Sequence, residues 1–100
     1  MKTKMYLFLA VLALSCNFTI HAKQNQQLTV SGTVVDNQNE PLPGVTIQIE
    51  GSGQGTVTDT DGKYSIVVHS DDAVLVFSFI GYQSQKVIVG NRLVIDVVLQ

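Results

Sequence analysis

The chain has 100 residues, eight Asp and Glu against six Lys and Arg, a formal charge of -2 and a single cysteine. That length gives room for one domain, and a mildly acidic chain without a basic cluster excludes nucleic acid, whose phosphates demand concentrated Lys and Arg. One cysteine also excludes a disulfide framework.

Lys2 and Lys4 precede an unbroken apolar run from Met5 to Leu14, and small and polar residues follow as far as Ala22. This is the layout of a cleavable secretory signal over residues 1–22, with cleavage expected after Ala22. The apolar run is far shorter than the roughly twenty residues that cross a bilayer as a helix. Cys16 follows the run where a bacterial lipoprotein would carry its lipidated cysteine, but Ala13-Leu14-Ser15 fits that pattern loosely, so Cys16 is expected to leave with the leader. Behind the leader, Lys23, Lys63, Lys86 and Arg92 face eight carboxylates, a net charge of -4 from four minus eight. The mature chain then has no thiol.

Residues 23–27 are polar, Gln-rich and without period, a disordered lead-in. From residue 28 to residue 100 the pattern changes to that of a β domain. Leu28, Val30, Gly32 and Val34 alternate with Thr29, Ser31, Thr33 and Val35, the period of two of a strand with one face on a core. Asp36 to Gly44 holds turn formers and two prolines; Pro41 and Pro43 stiffen the connection and Gly44 releases it. Val45, Ile47 and Ile49 then alternate with polar partners in a second strand. Gly51 to Gly55 is a flexible joint, Thr56 to Thr58 a short third strand, and Asp59-Thr60-Asp61-Gly62 a turn before the fourth, with Tyr64, Ile66 and Val68 on one face.

The run Val74 to Ile80 is apolar on both faces apart from Ser78. A sixth strand is expected to about Val89, then a Gly90-Asn91 turn and a last strand alternating Leu93, Ile95, Val97 and Leu99 against Val94, Asp96 and Val98. Seven short strands separated by turn chemistry predict an all-β, seven-stranded antiparallel β-sandwich. Val45, Ile47, Ile49, Tyr64, Ile66, Leu75, Phe77, Ile95 and Val97 are expected to share its core. A domain this small buries only about 60% of its extended-chain surface, which leaves little for an enzyme cleft.

Three stretches, Val30-Ser31-Gly32-Thr33-Val34-Val35-Asp36, Glu40-Pro41-Leu42-Pro43-Gly44-Val45 and Gly55-Thr56-Val57-Thr58-Asp59-Thr60-Asp61-Gly62-Lys63-Tyr64-Ser65-Ile66, resemble the carboxypeptidase-D regulatory-like domain. Leu75-Val76-Phe77-Ser78-Phe79-Ile80-Gly81-Tyr82 extends the resemblance, in the form found at the N-terminus of starch-utilisation-type TonB-dependent outer-membrane receptors of Bacteroidetes. It implies a transthyretin-like (prealbumin-like) sandwich on the periplasmic side of the outer membrane. In that family the module precedes a TonB box, a plug and a barrel, so the chain is expected to be either the N-terminal piece of such a receptor or a module standing alone.

No residue is assigned to catalysis, to a metal or to a cofactor. Asp59, Asp61 and Gly62 could open a calcium loop, but the twelfth position from Asp59 is Ser70 where a bidentate glutamate is needed, so they are assigned to a turn. His69 is the sole histidine of the mature chain and is expected at a strand end on the surface. The serines lie in no Gly-x-Ser-x-Gly elbow. Transthyretin-like folds include a hydrolase of purine breakdown products, but its His and Arg constellation and Tyr-Arg-Gly-Ser tail are missing here.

If Leu75, Phe77 and Phe79 point inward, Val74, Val76 and Ile80 fall on the opposite face, where Val94 and Val98 could join them as a docking face. The expected function is therefore a non-catalytic interaction module. Its partners would be other domains of an outer-membrane receptor or a periplasmic or outer-membrane protein, with no nucleic acid and no small-molecule substrate assigned. The alternative is a free-standing exported sandwich that binds a glycan or a surface protein, which the lack of Trp and scarcity of Tyr disfavour.

Overall fold

The computed structural model describes residues 27–100. The leader expected over residues 1–22, Cys16 with its lipidation, and the lead-in up to residue 26 lie outside the described residues. The rest is all-β: β1 (Leu28–Val35), β2 (Thr46–Ile49), β3 (Gly55–Val57), β4 (Lys63–Val68), β5 (Val74–Ser78), β6 (Gln85–Ile88) and β7 (Val97–Val98). They form two sheets, ordered β4-β1-β7 and β3-β2-β5-β6.

Strand alternation decides which side chains meet between the sheets. In β4 every second residue is buried, so Tyr64, Ile66 and Val68 face inward while Lys63, Ser65 and Val67 face out. Antiparallel pairing with β1 sets Val30 opposite Ile66 and Gly32 opposite Tyr64. In the other sheet Ile47 lies opposite Phe77, and Ile49 opposite Leu75. The Tyr64 and Phe77 rings meet edge to face across the core, with centroids 5.5 Å apart. Of the nine expected core residues, Ile49 alone is only partly buried; Val30, Val34, Leu42, Val68, Val89 and Leu99 complete the core.

The expectation of an entirely antiparallel sandwich is corrected at β7, which runs parallel to β1, with Val34 beside Val97 and Val35 beside Val98. After β6 the chain turns, crosses to the other sheet and travels in the direction of β1. A parallel neighbour requires such a long crossover, and here almost the whole domain supplies it. The last strand is also interrupted. Ile95 N–H donates to Ser31 O (2.8 Å), but Ile95 O accepts the Tyr64 hydroxyl (2.7 Å) and the Asp96 carboxylate accepts Thr33 N–H (2.9 Å). Gly32 permits this departure, because a Cβ there would stand 1.9 Å from Ile95 O.

The connections sort to the two ends. Residues 36–44, 58–63 and 79–83 gather at the end where β1 finishes, and Gln100 joins them, its carbonyl accepting Gln83 N–H (2.8 Å). Leu28 begins β1 at the opposite end, near Val68.

Candidate functional site

Asp59, Asp61 and Gly62 form a closed turn. Asp59 Oδ1 accepts the N–H groups of Asp61 and Lys63, both at 2.9 Å, while its backbone N–H donates to Lys63 O (2.9 Å) and its carbonyl accepts Gly62 N–H (3.0 Å). Gly62 has φ +74°, and a Cβ on it would stand 2.6 Å from Val34 O. Asp59 Oδ1 is thus committed to the backbone, as in an Asx-turn.

The same device occurs a second time. Asp36 Oδ1 accepts Gln38 N–H (2.8 Å) and Glu40 N–H (2.9 Å), Asp36 N–H donates to Glu40 O (2.9 Å), and Asn39 takes the left-handed conformation at φ 64°. Asp36-x-x-Asn39-Glu40 and Asp59-x-x-Gly62-Lys63 are therefore two copies of one turn, side by side at the Gln100 end. The common spacing, aspartate followed three residues later by Asn or Gly, is present in the sequence but hidden by the different residues between.

The proline loop between them is held by Thr58, the one buried polar residue of the described chain. Its hydroxyl donates to Leu42 O (2.6 Å) and accepts Val45 N–H (2.9 Å). The sequence places Thr58 at the end of the short third strand, and the partners of its hydroxyl, Leu42 and Val45, lie far from it along the chain.

The five residues of the expected docking face are not brought together. Val74 and Val76 lie on the outer face of β5 and are partly buried; Val94 and Val98 lie on the outer face of the other sheet. Ile80 belongs to neither, because β5 ends at Ser78 and Phe79-Ile80-Gly81-Tyr82 turns the chain back, with Tyr82 N–H donating to Phe79 O (3.1 Å). Ile80 is 95% exposed at the tip of that turn. Phe79 and Tyr82 support it from below, their ring centroids 5.9 Å apart and both packed on the core. A depression of about 330 Å³ beside it is lined by Gly44, Thr46, Ser78, Phe79 and Ile80.

His69 is exposed just after β4, on the rim of a second depression shared with Ile49, Ser52, Gln54, Asp72 and Ala73. Among the described residues no three His, Cys, Asp or Glu side chains converge on a site for a metal ion. Burial, then the charge of Asp96, push the Tyr64 hydroxyl up to about 12, against a smaller lowering by Arg92. It is a structural phenol, tied to Ile95 O and closed off from solvent.

Among proteins of known kind, a TonB-dependent receptor of Formosa agariphila is 40% identical over 90 residues, which cover 90% of this chain and 9% of the receptor. The TonB-dependent receptor SusC of Bacteroides thetaiotaomicron is 40% identical over 68 residues, 68% of this chain and 7% of SusC. The chain thus spans less than a tenth of the length of the receptors it matches. Among solved structures, a chain of a type II cohesin–X–dockerin complex from Acetivibrio cellulolyticus superposes with a TM-score of 0.55 at 20% identity, over 71% of this chain and 52% of that one, a likeness of fold alone. The profile of the CarboxypepD_reg-like domain matches residues 30–100, the two-sheet body from β1 to the residue beyond Leu99, and the chain belongs to that family.

Proposed function

We propose that this chain is the non-catalytic, transthyretin-like module of a TonB-dependent nutrient receptor, lying on the periplasmic side of the outer membrane and contributing contacts to the rest of the receptor. The observation that carries the reading is the pair of shares: most of this chain matches the receptors, and it matches under a tenth of each. A segment of that proportion is a module within a larger machine. The leader read in residues 1–22 supplies export.

The test places residues 28–100 in SusC in exchange for the matching segment and follows the module by protease accessibility. The module is expected to be protected in intact cells and digested once the outer membrane is permeabilised. Digestion in intact cells would overturn the periplasmic reading and favour a surface binder of glycan or protein.

A further inference from the structure

We infer that the Phe79–Tyr82 loop, with Ile80 at its tip, is the knob by which this domain seats on the remainder of a TonB-dependent receptor, against a protein surface that offers an apolar socket rimmed by Lys and Arg. The inference rests on the receptor reading above and adds to it the contact surface and its chemistry.

Turn tips are normally Gly, Asn, Asp or Ser, which give the backbone its conformation without exposing apolar surface. Here the tip is an isoleucine exposed to 95%, while the other exposed aliphatics, at 63% or less, are spread over both sheets and the loop after β6. Gly81, at φ 91°, makes the turn, and the paired rings of Phe79 and Tyr82 anchor it to the core, so the knob stands on a rigid base. The hollow beside it, floored by Gly44, gives a partner side chain somewhere to insert in return.

Position and charge select the occupant. Gln83 N–H bonds Gln100 O, so the loop stands next to the end of the family match, and more than nine-tenths of each matching receptor lies outside the matched segment. The same end carries Asp36, Glu40, Asp59 and Asp61 on its two turns, against Lys63 alone. An apolar tip on an end of the domain that carries four carboxylates suits a protein interface, and an acidic end calls for a basic partner.

Hydrogen exchange tests this on the SusC exchange described above and on the free full-length chain. Amides of residues 79–83 are expected to exchange about tenfold or more slowly in the assembled receptor than in the free chain. Ile80→Asp should abolish that protection while leaving the melting temperature of the free chain unchanged, and Glu40→Lys with Asp61→Lys should reduce it. Equal exchange in an assembled, protease-protected receptor would overturn the docking inference and leave the receptor reading standing. A receptor that loses its assembly when it carries the exchanged segment would overturn the receptor reading, and the inference with it.

Discussion

Glu50 and Lys86 meet across β5: the Lys86 ammonium lies 2.6 Å from a Glu50 carboxylate oxygen, although one residue follows β2 and the other sits in β6, on either side of the strand. The pair arches over the outer face of β5, where Val76 is flanked by Gln48 and Lys86. The aliphatic stem of Lys86 covers apolar surface while its charge stays in water. The second apolar face of Val74 to Ser78 is thus partly covered from within the domain.

A prediction follows for that face. Both charged side chains are about half exposed or more, at 47% and 65%, so the ion pair itself contributes little, and Lys86→Met should change stability by less than about 1 kcal/mol. Val76→Asp loses a β-branched residue from a central strand and sets a carboxylate beside Glu50, with partial compensation from Lys86; a loss of about 1–2 kcal/mol is expected, with the fold intact. Chemical denaturation of both variants checks this, and complete unfolding of Val76→Asp would show that the position is buried far more deeply.

Phe77 is fully buried and lies edge to face with Tyr64. Truncation to Ala removes a ring from the centre of the core and should cost about 3–5 kcal/mol. A small domain has only about 5–15 kcal/mol in all, so thermal unfolding of Phe77→Ala should fall steeply or be lost. An unchanged melting temperature would mean that the faces of β5 are reversed.

Tyr64 joins the sheet of β4 to the last strand through Ile95 O, and its hydroxyl is pushed up to about 12. Because the folded value lies above the ordinary 10, the folded state holds the proton more tightly than the unfolded chain. The resulting stability is complete below pH about 10 and is lost as pH rises toward about 12, by at most about 1.4 kcal/mol per pH unit. Tyr64→Phe should leave Ile95 O without its partner, cost about 1–3 kcal/mol at neutral pH, and flatten that alkaline decline. Denaturant titrations at pH 8 through 11.5, on both proteins, separate this phenol from other groups that titrate in alkali.

The alternation that governs Tyr64, Ile66 and Val68 was legible in the sequence because it depends only on local period. The direction of β7 was not, since its pairing with β1 joins the two ends of the domain and leaves no local mark. Ile80 was misplaced for a related reason: the apolar run from Val74 continues through it, and hydrophobicity alone does not show that Gly81-Tyr82 bends the chain after Ser78. Thr58 was invisible because its hydroxyl is satisfied by Leu42 and Val45, residues brought near it only by the fold. Ile95, an ordinary inward residue by period, owes its displaced carbonyl to Gly32 on a neighbouring strand.

The turn at Asp59 permits a test that separates its two readings by residue. As a turn, it depends on Asp59, whose Oδ1 accepts two backbone N–H groups, and on Gly62, whose left-handed φ and contact with Val34 O exclude a side chain; the Asp61 carboxylate, on an exposed residue, takes no part in these bonds. Asp59→Ala should cost about 0.5–2 kcal/mol, as loss of a comparable cap does. Gly62→Ala should cost more, since about 1–2 kcal/mol for the left-handed backbone is joined by a clash with a carbonyl that is itself bonded to Leu42 N–H. Asp61→Ala should be neutral, and Asn39→Gly, in the matching turn with an exposed αL position, neutral or slightly stabilising. Calcium should shift none of the melting temperatures. A calcium loop would behave oppositely: the ion at a hundredfold excess over its dissociation constant would add about 2.7 kcal/mol. Asp61→Ala would abolish that gain, so a calcium-dependent rise in melting temperature lost in Asp61→Ala would replace the turn by an ion site.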